Sequence, residues 1–141
     1  MAETVREVMS TGPETVGDDE TILEAARRLA EANVGALPII GANGEVRGML
    51  TDRDIAVRVV AQGRDPGEMK AGALAQDDVV TVSPDDSLDE ALKRMTATGV
   101  RRLPVVEGED LVGVVSQADL ARALPQEKAG ALMDAVSAST V

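Results

Sequence analysis

Apolar residues recur at three- and four-residue intervals in two stretches of the chain. Ile22, Ala25, Ala26 and Leu29 form one stripe, and Leu88, Ala91, Leu92 and Met95 form the other. Each spacing predicts one face of an amphipathic helix. Ahead of each stripe lies a brief apolar piece, Thr15-Val16 or Val79 to Val82, read as a short strand. Beyond the stripes lie ALPII (Ala36 to Ile40) and RLPVV (Arg102 to Val106), apolar and β-branched, with Pro near the start where a strand tolerates one. The turns GANGE and EGED separate these from VRGMLT and LVGVVS, so each half predicts a hairpin. A last helix is predicted to begin near Asp54 in one half and near Asp119 in the other. The Gly63 to Gly67 stretch bounds the first and Pro125 the second. The order is strand, helix, strand, strand, helix, twice over.

The two halves are copies. Glu14 to Ile40 lies over Val80 to Val106 at an offset of 66, and GMLTDRDIA (Gly48 to Ala56) over GVVSQADLA (Gly113 to Ala121) at 65. About a dozen of roughly forty aligned positions are identical, and the gap falls at a turn. The expected boundaries are residues 1–66 for the first repeat with an N-terminal lead-in, 67–125 for the second, and 126–141 for a helical tail. A unit of about fifty residues buries little surface alone. Two units sharing one core, with paired sheets, an approximate two-fold axis and two related clefts, is the expected solution.

The helix starts carry acid. Ser83 is a good N-cap with Pro84, Asp85 and Asp86 behind it, and Gly17 takes the same place ahead of Asp18, Asp19 and Glu20. Such clusters could hold Mg²⁺ or Ca²⁺, but helix capping explains them more cheaply. The recurring hydroxyl and carboxylate, Thr51 with Asp54 and Ser116 with Asp119, also have two readings. The spacing is that of a capping box. The same pair could hold a ligand, because a carboxylate only accepts hydrogen bonds and a vicinal diol donates two.

Composition narrows the chemistry. The chain has 141 residues and is 44% hydrophobic, so a core can form, but it lacks Phe, Tyr and Trp and that core must be aliphatic. With 14 Lys+Arg against 25 Asp+Glu, the net charge of −11 repels nucleic acid and anionic membranes. There is no Cys and no His, which removes disulfides, thiolate nucleophiles, imidazole bases and the usual zinc ligands. No apolar run approaches membrane-span length and no signal pattern opens the chain, so a soluble cytoplasmic protein is expected. We find no nucleophile–base pair and no Gly-rich phosphate loop, so no enzymatic activity is expected.

The repeat resembles the CBS domain in a tandem pair, the Bateman module. The resemblance rests on the β-α-β-β-α order, the LP-apolar-apolar strands at Leu37 and Leu103, and the two G-apolar-apolar-[ST]-x-x-D motifs. VREVMSTGPETV (Val5 to Val16) looks like the family's lead-in, and AGALAQDDVVTV (Ala71 to Val82) is a weaker version of it. The chain is similar to small bacterial two-CBS proteins of the hypoxic-response type. The fold implied is α/β in the broad sense (α+β), with two CBS repeats packed sheet to sheet.

The function implied is regulatory or sensing, through an adenosine-type ligand (AMP, ADP, ATP or S-adenosylmethionine) in clefts between the repeats. In the family, the motif Asp accepts from the ribose hydroxyls. Each cleft combines one repeat's motif with the first strand and pre-Pro residues of the other. One cleft would then join Thr51, Arg53 and Asp54 to Val80, Arg101 and Arg102. The other would join Ser116 and Asp119 to Glu14, Gly35 and Ala36. The three arginines favour the first cleft for a phosphorylated nucleotide. Adenine, with no ring to stack on, would sit among side chains such as Val80, Ile39 or Met49. No cofactor is required, and a homodimer is implied. The alternative is a scaffold or interaction protein with empty clefts, for which the apolar face Ala129, Leu132, Met133 and Val136 of the tail is a candidate surface.

Overall fold

The computed structural model describes residues 3–76 and 78–124. In chain order the elements are α1 (Val5–Val8), β1 (Ser10–Thr11), β2 (Val16–Gly17), α2 (Ile22–Ala32), β3 (Ala36–Ile40) and β4 (Val46–Thr51). Next come α3 (Asp52–Asp54), which runs into a π-helix (Ile55–Val60), and a 3₁₀ turn (Ala71–Leu74). The last are α4 (Leu88–Thr98), β5 (Arg102–Glu107), β6 (Asp110–Ser116) and α5 (Gln117–Ala123). The fold is α+β, with two three-stranded sheets of order β2-β3-β4 and β1-β6-β5. Both expected hairpins form, β3 with β4 and β5 with β6, each antiparallel and each with a register shift near its turn. The predicted tail, and Pro125 as a helix boundary, lie outside the described residues.

Two compact units result. One unit is Pro13–Val79; the other joins the segment up to Gly12 to the segment from Val80 onward. The N-terminal lead-in therefore groups with the second repeat. Its α1 buries Val5 completely in that repeat's core, and β1 pairs with β6, Ser10 opposite Val114. The corresponding lead-in of the second repeat docks on the first. Ala71 and Leu74 enter the first repeat's core. Backbone bonds repeat the pattern: Val5 N–H to Asp86 O at 2.9 Å, and Ala71 N–H to Glu20 O at 2.8 Å. Each lead-in covers an edge strand and closes one end of a core.

The motif glycines make room for that cover. A Cβ at Gly113 would stand 2.7 Å from Ser10 O and 2.8 Å from Met9 Sδ. Gly48, at φ +151°, faces Gln76, whose Oε1 would lie 1.9 Å from a Cβ. The freed space lets Gln76 Oε1 accept from Met49 N–H at 2.9 Å, a side-chain substitute for strand pairing on β4.

Among the described residues, the buried apolar side chains form two clusters, one in each unit. Val16, Ile22, Ala25, Leu29, Leu37, Ile39 and Leu50 fill the first repeat. Their counterparts Val82, Leu88, Ala91, Met95, Leu103, Val105 and Val115 fill the second. With Val5 or Ala71 supplied by a lead-in, each unit assembles an aliphatic interior of its own.

Both helix starts differ from expectation. The N-caps are Thr21 and Ser87, whose hydroxyls accept from Glu24 N–H at 3.1 Å and Glu90 N–H at 3.0 Å. Gly17 and Ser83 lie one turn earlier, where the Glu20 and Asp86 carboxylates bind their N–H groups at 2.7 and 2.8 Å. The acids thus organise a turn ahead of the helix. In the second copy the first strand shrinks to one bridge, Val82 to Val105. Arg28 and Arg94 tie these turns down: both donate to a backbone carbonyl, Thr15 O and Thr81 O, and pair with Glu20 and Asp86 respectively.

Glu20 takes two guanidinium hydrogen bonds from Arg28, each 2.5 Å. These bonds, with the Gly17 N–H, hold its carboxyl at about 2, below the ordinary 4.5. A carboxyl depressed in the folded state stabilises above its unfolded value and loses that contribution as pH falls. Glu20→Gln is expected to cost about 1 kcal/mol at pH 7, discounted for partial exposure of the pair. The gap from wild type should shrink between pH 4.5 and about 2. Urea unfolding followed by far-UV circular dichroism at several pH values measures it; a gap independent of pH would contradict the assignment.

Candidate functional site

The strand-to-helix switch is built alike in both copies. Thr51 and Ser116 are extended, at φ −107° and −108°, and end their strands. Thr51 Oγ1 accepts from Asp54 N–H at 3.0 Å, and Asp54 Oδ2 accepts from Thr51 N–H at 3.0 Å. Ser116 Oγ accepts from Asp119 N–H at 3.1 Å, and Asp119 Oδ2 from Ser116 N–H at 2.9 Å. Both pairs are capping boxes. The helices accordingly begin at Asp52 and Gln117, two residues before the expected Asp54 and Asp119.

Capping uses one oxygen of each carboxylate, and the other differs between copies. Asp54 Oδ1 has no hydrogen-bond partner among the described residues. Asp119 Oδ1 accepts from Arg122 Nη2 at 2.6 Å. Arg122 has no counterpart in the first copy, where Val57 takes its place. The helix also differs. After Asp54 the backbone winds as a π-helix with a β-branched run, IAVRVV, while the second copy keeps α geometry. Crowding of β-branched side chains against the preceding turn disfavours the α form.

The hairpin register decides which other residues stand beside each motif. Ala36 is opposite Thr51, and Gly35 O accepts from Asp52 N–H at 3.0 Å. Arg102 is opposite Ser116, and Arg101 O accepts from Gln117 N–H at 2.8 Å. So the structure groups Gly35 and Ala36 with Thr51 and Asp54, and Arg101 and Arg102 with Ser116 and Asp119. Sequence comparison with the family pointed only to partners from the opposite repeat. Arg53 has an exposed side chain and its N–H donates to Asp52 Oδ1. Val80, half-buried, packs against the second repeat's core. Ile39 is fully buried in the first core and is unavailable to adenine, while Met49 remains half-exposed. Sequence reasoning missed Arg122, though its three-residue spacing from Asp119 signals a helical ion pair. It also missed Gln117, whose Oε1 is buried without a donor among the described residues.

The acidic turns do not gather into a metal site. Among the described residues, no group of three or more carboxylates stands together as a candidate ligand set. Nor is any described helix long and apolar enough to cross a membrane.

Two three-stranded sheets with a capped hydroxyl–carboxylate pair at the end of each hairpin define a tandem-repeat α+β module. The CBS-domain family pattern matches residues 5–61 and 71–126, and the chain belongs to the CBS-domain family. It is 44% identical over 123 residues to hypoxic response protein 1 of Mycobacterium tuberculosis, covering 87% of this chain and 86% of that one. It is 40% identical over 134 residues to the CBS domain-containing protein YhcV of Bacillus subtilis, covering 94% of each. A crystal structure of hypoxic response protein I with two coordinated zinc ions superposes with a TM-score of 0.80 at 43% identity, covering 86% of this chain and 99% of that one. This chain offers zinc neither Cys nor His. A CBS domain pair solved in complex with 5′-methylthioadenosine and S-adenosyl-L-methionine superposes with a TM-score of 0.75 at 28% identity, covering 85% and 94% of the two chains.

The capping geometry separates two substitutions. Thr51→Ala removes the hydroxyl that caps α3 and is expected to cost about 1 kcal/mol. Asp54→Asn keeps an oxygen for the Thr51 N–H and is expected to cost clearly less. Urea unfolding of both variants checks the order; equal losses would contradict it.

Proposed function

We propose that this CBS pair is a non-enzymatic sensor that binds an adenosine-type ligand through its hydroxyl–carboxylate motifs. The observation that carries the reading is the Asp54 carboxylate. One oxygen is held by the Thr51 N–H, which fixes its orientation, and the other is uncommitted among the described residues. An oriented, charged acceptor suits a ribose diol, and charge assistance strengthens such bonds. The adenosine-containing ligands of the related CBS pair support the ligand class. The proposal includes Arg53, Val80, Arg101, Arg102, Gly35 and Ala36 as further ligand contacts. It also includes assembly as a homodimer, a cytoplasmic location, and no nucleic-acid or membrane partner.

One observation favours the alternative, a scaffold whose motifs hold nothing. Both hydroxyl–carboxylate pairs serve as helix caps, a role that accounts for their recurrence without any ligand.

Titration with AMP, ATP and S-adenosylmethionine distinguishes the two. Hydrogen bonds to a charged group contribute about 1.5–3 kcal/mol. Asp54→Asn should therefore weaken AMP binding about 10- to 100-fold. Unchanged affinity in Asp54→Asn would remove Asp54 from the site. No binding of any of the three ligands to wild type at millimolar concentration would favour the scaffold.

A further inference from the structure

The two motifs share backbone geometry and capping bonds, yet their carboxylates are in different states. Asp54 keeps Oδ1 uncommitted among the described residues, whereas Asp119 has both oxygens engaged, Oδ2 by Ser116 N–H and Oδ1 by Arg122. The Arg122 contact, at 2.6 Å, is short and charge-assisted. The carboxylate it covers is only 11% exposed, while the guanidinium end reaches solvent from a side chain 70% exposed. Arg122 sits one helical turn beyond Asp119, so the pair forms within α5 without help from elsewhere. Val57, at the aligned position of the first repeat, carries no donor, and the π-helix there gives that turn a different path.

We propose that Arg122 makes the two motifs unequal by occupying the carboxylate oxygen of Asp119 that a ligand diol would use. The inference rests on the proposed diol-binding role of the motifs and deepens it. Asp54 is the open site. Asp119 is a self-occupied one, whose diol must displace an internal ion pair before it binds. Arg122 is thus a residue that sets the relative affinity of the two sites. It acts by competition, so its removal strengthens binding. A purely structural role in α5 predicts the opposite sign, because loss of a helix ion pair destabilises the element that carries Asp119.

Adenosine is the right probe, because without a phosphate it isolates the diol from the arginines nearby. Calorimetric titrations of the full chain should compare Asp54→Asn, which leaves Asp119 as the working motif, with Asp54→Asn/Arg122→Ala. Displacing an exposed ion pair is worth about a 2- to 5-fold change in affinity. The double variant is expected to bind adenosine tighter by that factor, and Arg122→Ala alone should bring the two sites of the chain closer together. Equal or weaker adenosine affinity in the double variant, or no binding to either variant while wild type binds, would overturn the role of Arg122. Failure of the underlying reading looks different: wild type binds no adenosine, or binds it with an affinity that neither Asp54→Asn nor Asp119→Asn alters.

Discussion

The reciprocal bond between Thr51 and Asp54, repeated by Ser116 and Asp119, is the constraint on which the candidate site depends. It ends a strand and starts a helix within four residues. In doing so it presents a carboxylate in a fixed orientation, with one oxygen spent on the backbone. Capping and ligand binding are therefore not rival uses of the same atoms. The cap takes Oδ2 in both copies, and the fate of Oδ1 distinguishes them. A carboxylate oriented by a backbone N–H is held in place before any ligand arrives.

The second constraint is the cover on each edge strand. Gly113 and Gly48 stand where a lead-in crosses the hairpin, and neither position has room for a methyl group. In the first repeat Gln76 supplies an amide to β4; in the second, β1 supplies true strand pairing to β6. Because each lead-in covers the repeat that does not follow it directly, one unit is the continuous stretch Pro13–Val79 and the other is assembled from two separate segments. The hairpin so protected sets the register at its far end. There Ala36 meets Thr51, and Arg102 meets Ser116.

Much of this was legible in the sequence. The stripes Ile22 to Leu29 and Leu88 to Met95 are core-facing as read, and the LP strands and hairpins form where the β-branched runs lie. The exchange of lead-ins was not legible, because Val5 and Ala71 are ordinary apolar residues and nothing local names the core they enter. The caps were misplaced by four residues because Gly17 and Ser83 begin acidic turns that imitate helix starts, while Thr21 and Ser87 attract less notice. Family resemblance pointed to the hydroxyl–carboxylate motifs but not to the state of their carboxylates. That difference comes from Arg122 against Val57, a contrast outside the motif itself.

The account turns on a diol meeting a carboxylate, and the ligand rather than the protein offers the cleanest way to remove that contact. Affinities of wild type for AMP and for its 2′,3′-dideoxy analogue should be compared under one set of conditions. Both carry the same base and phosphate, so only the hydroxyls differ. The account predicts that the dideoxy analogue binds at least about 10-fold more weakly. Equal affinities for the two nucleotides would contradict it.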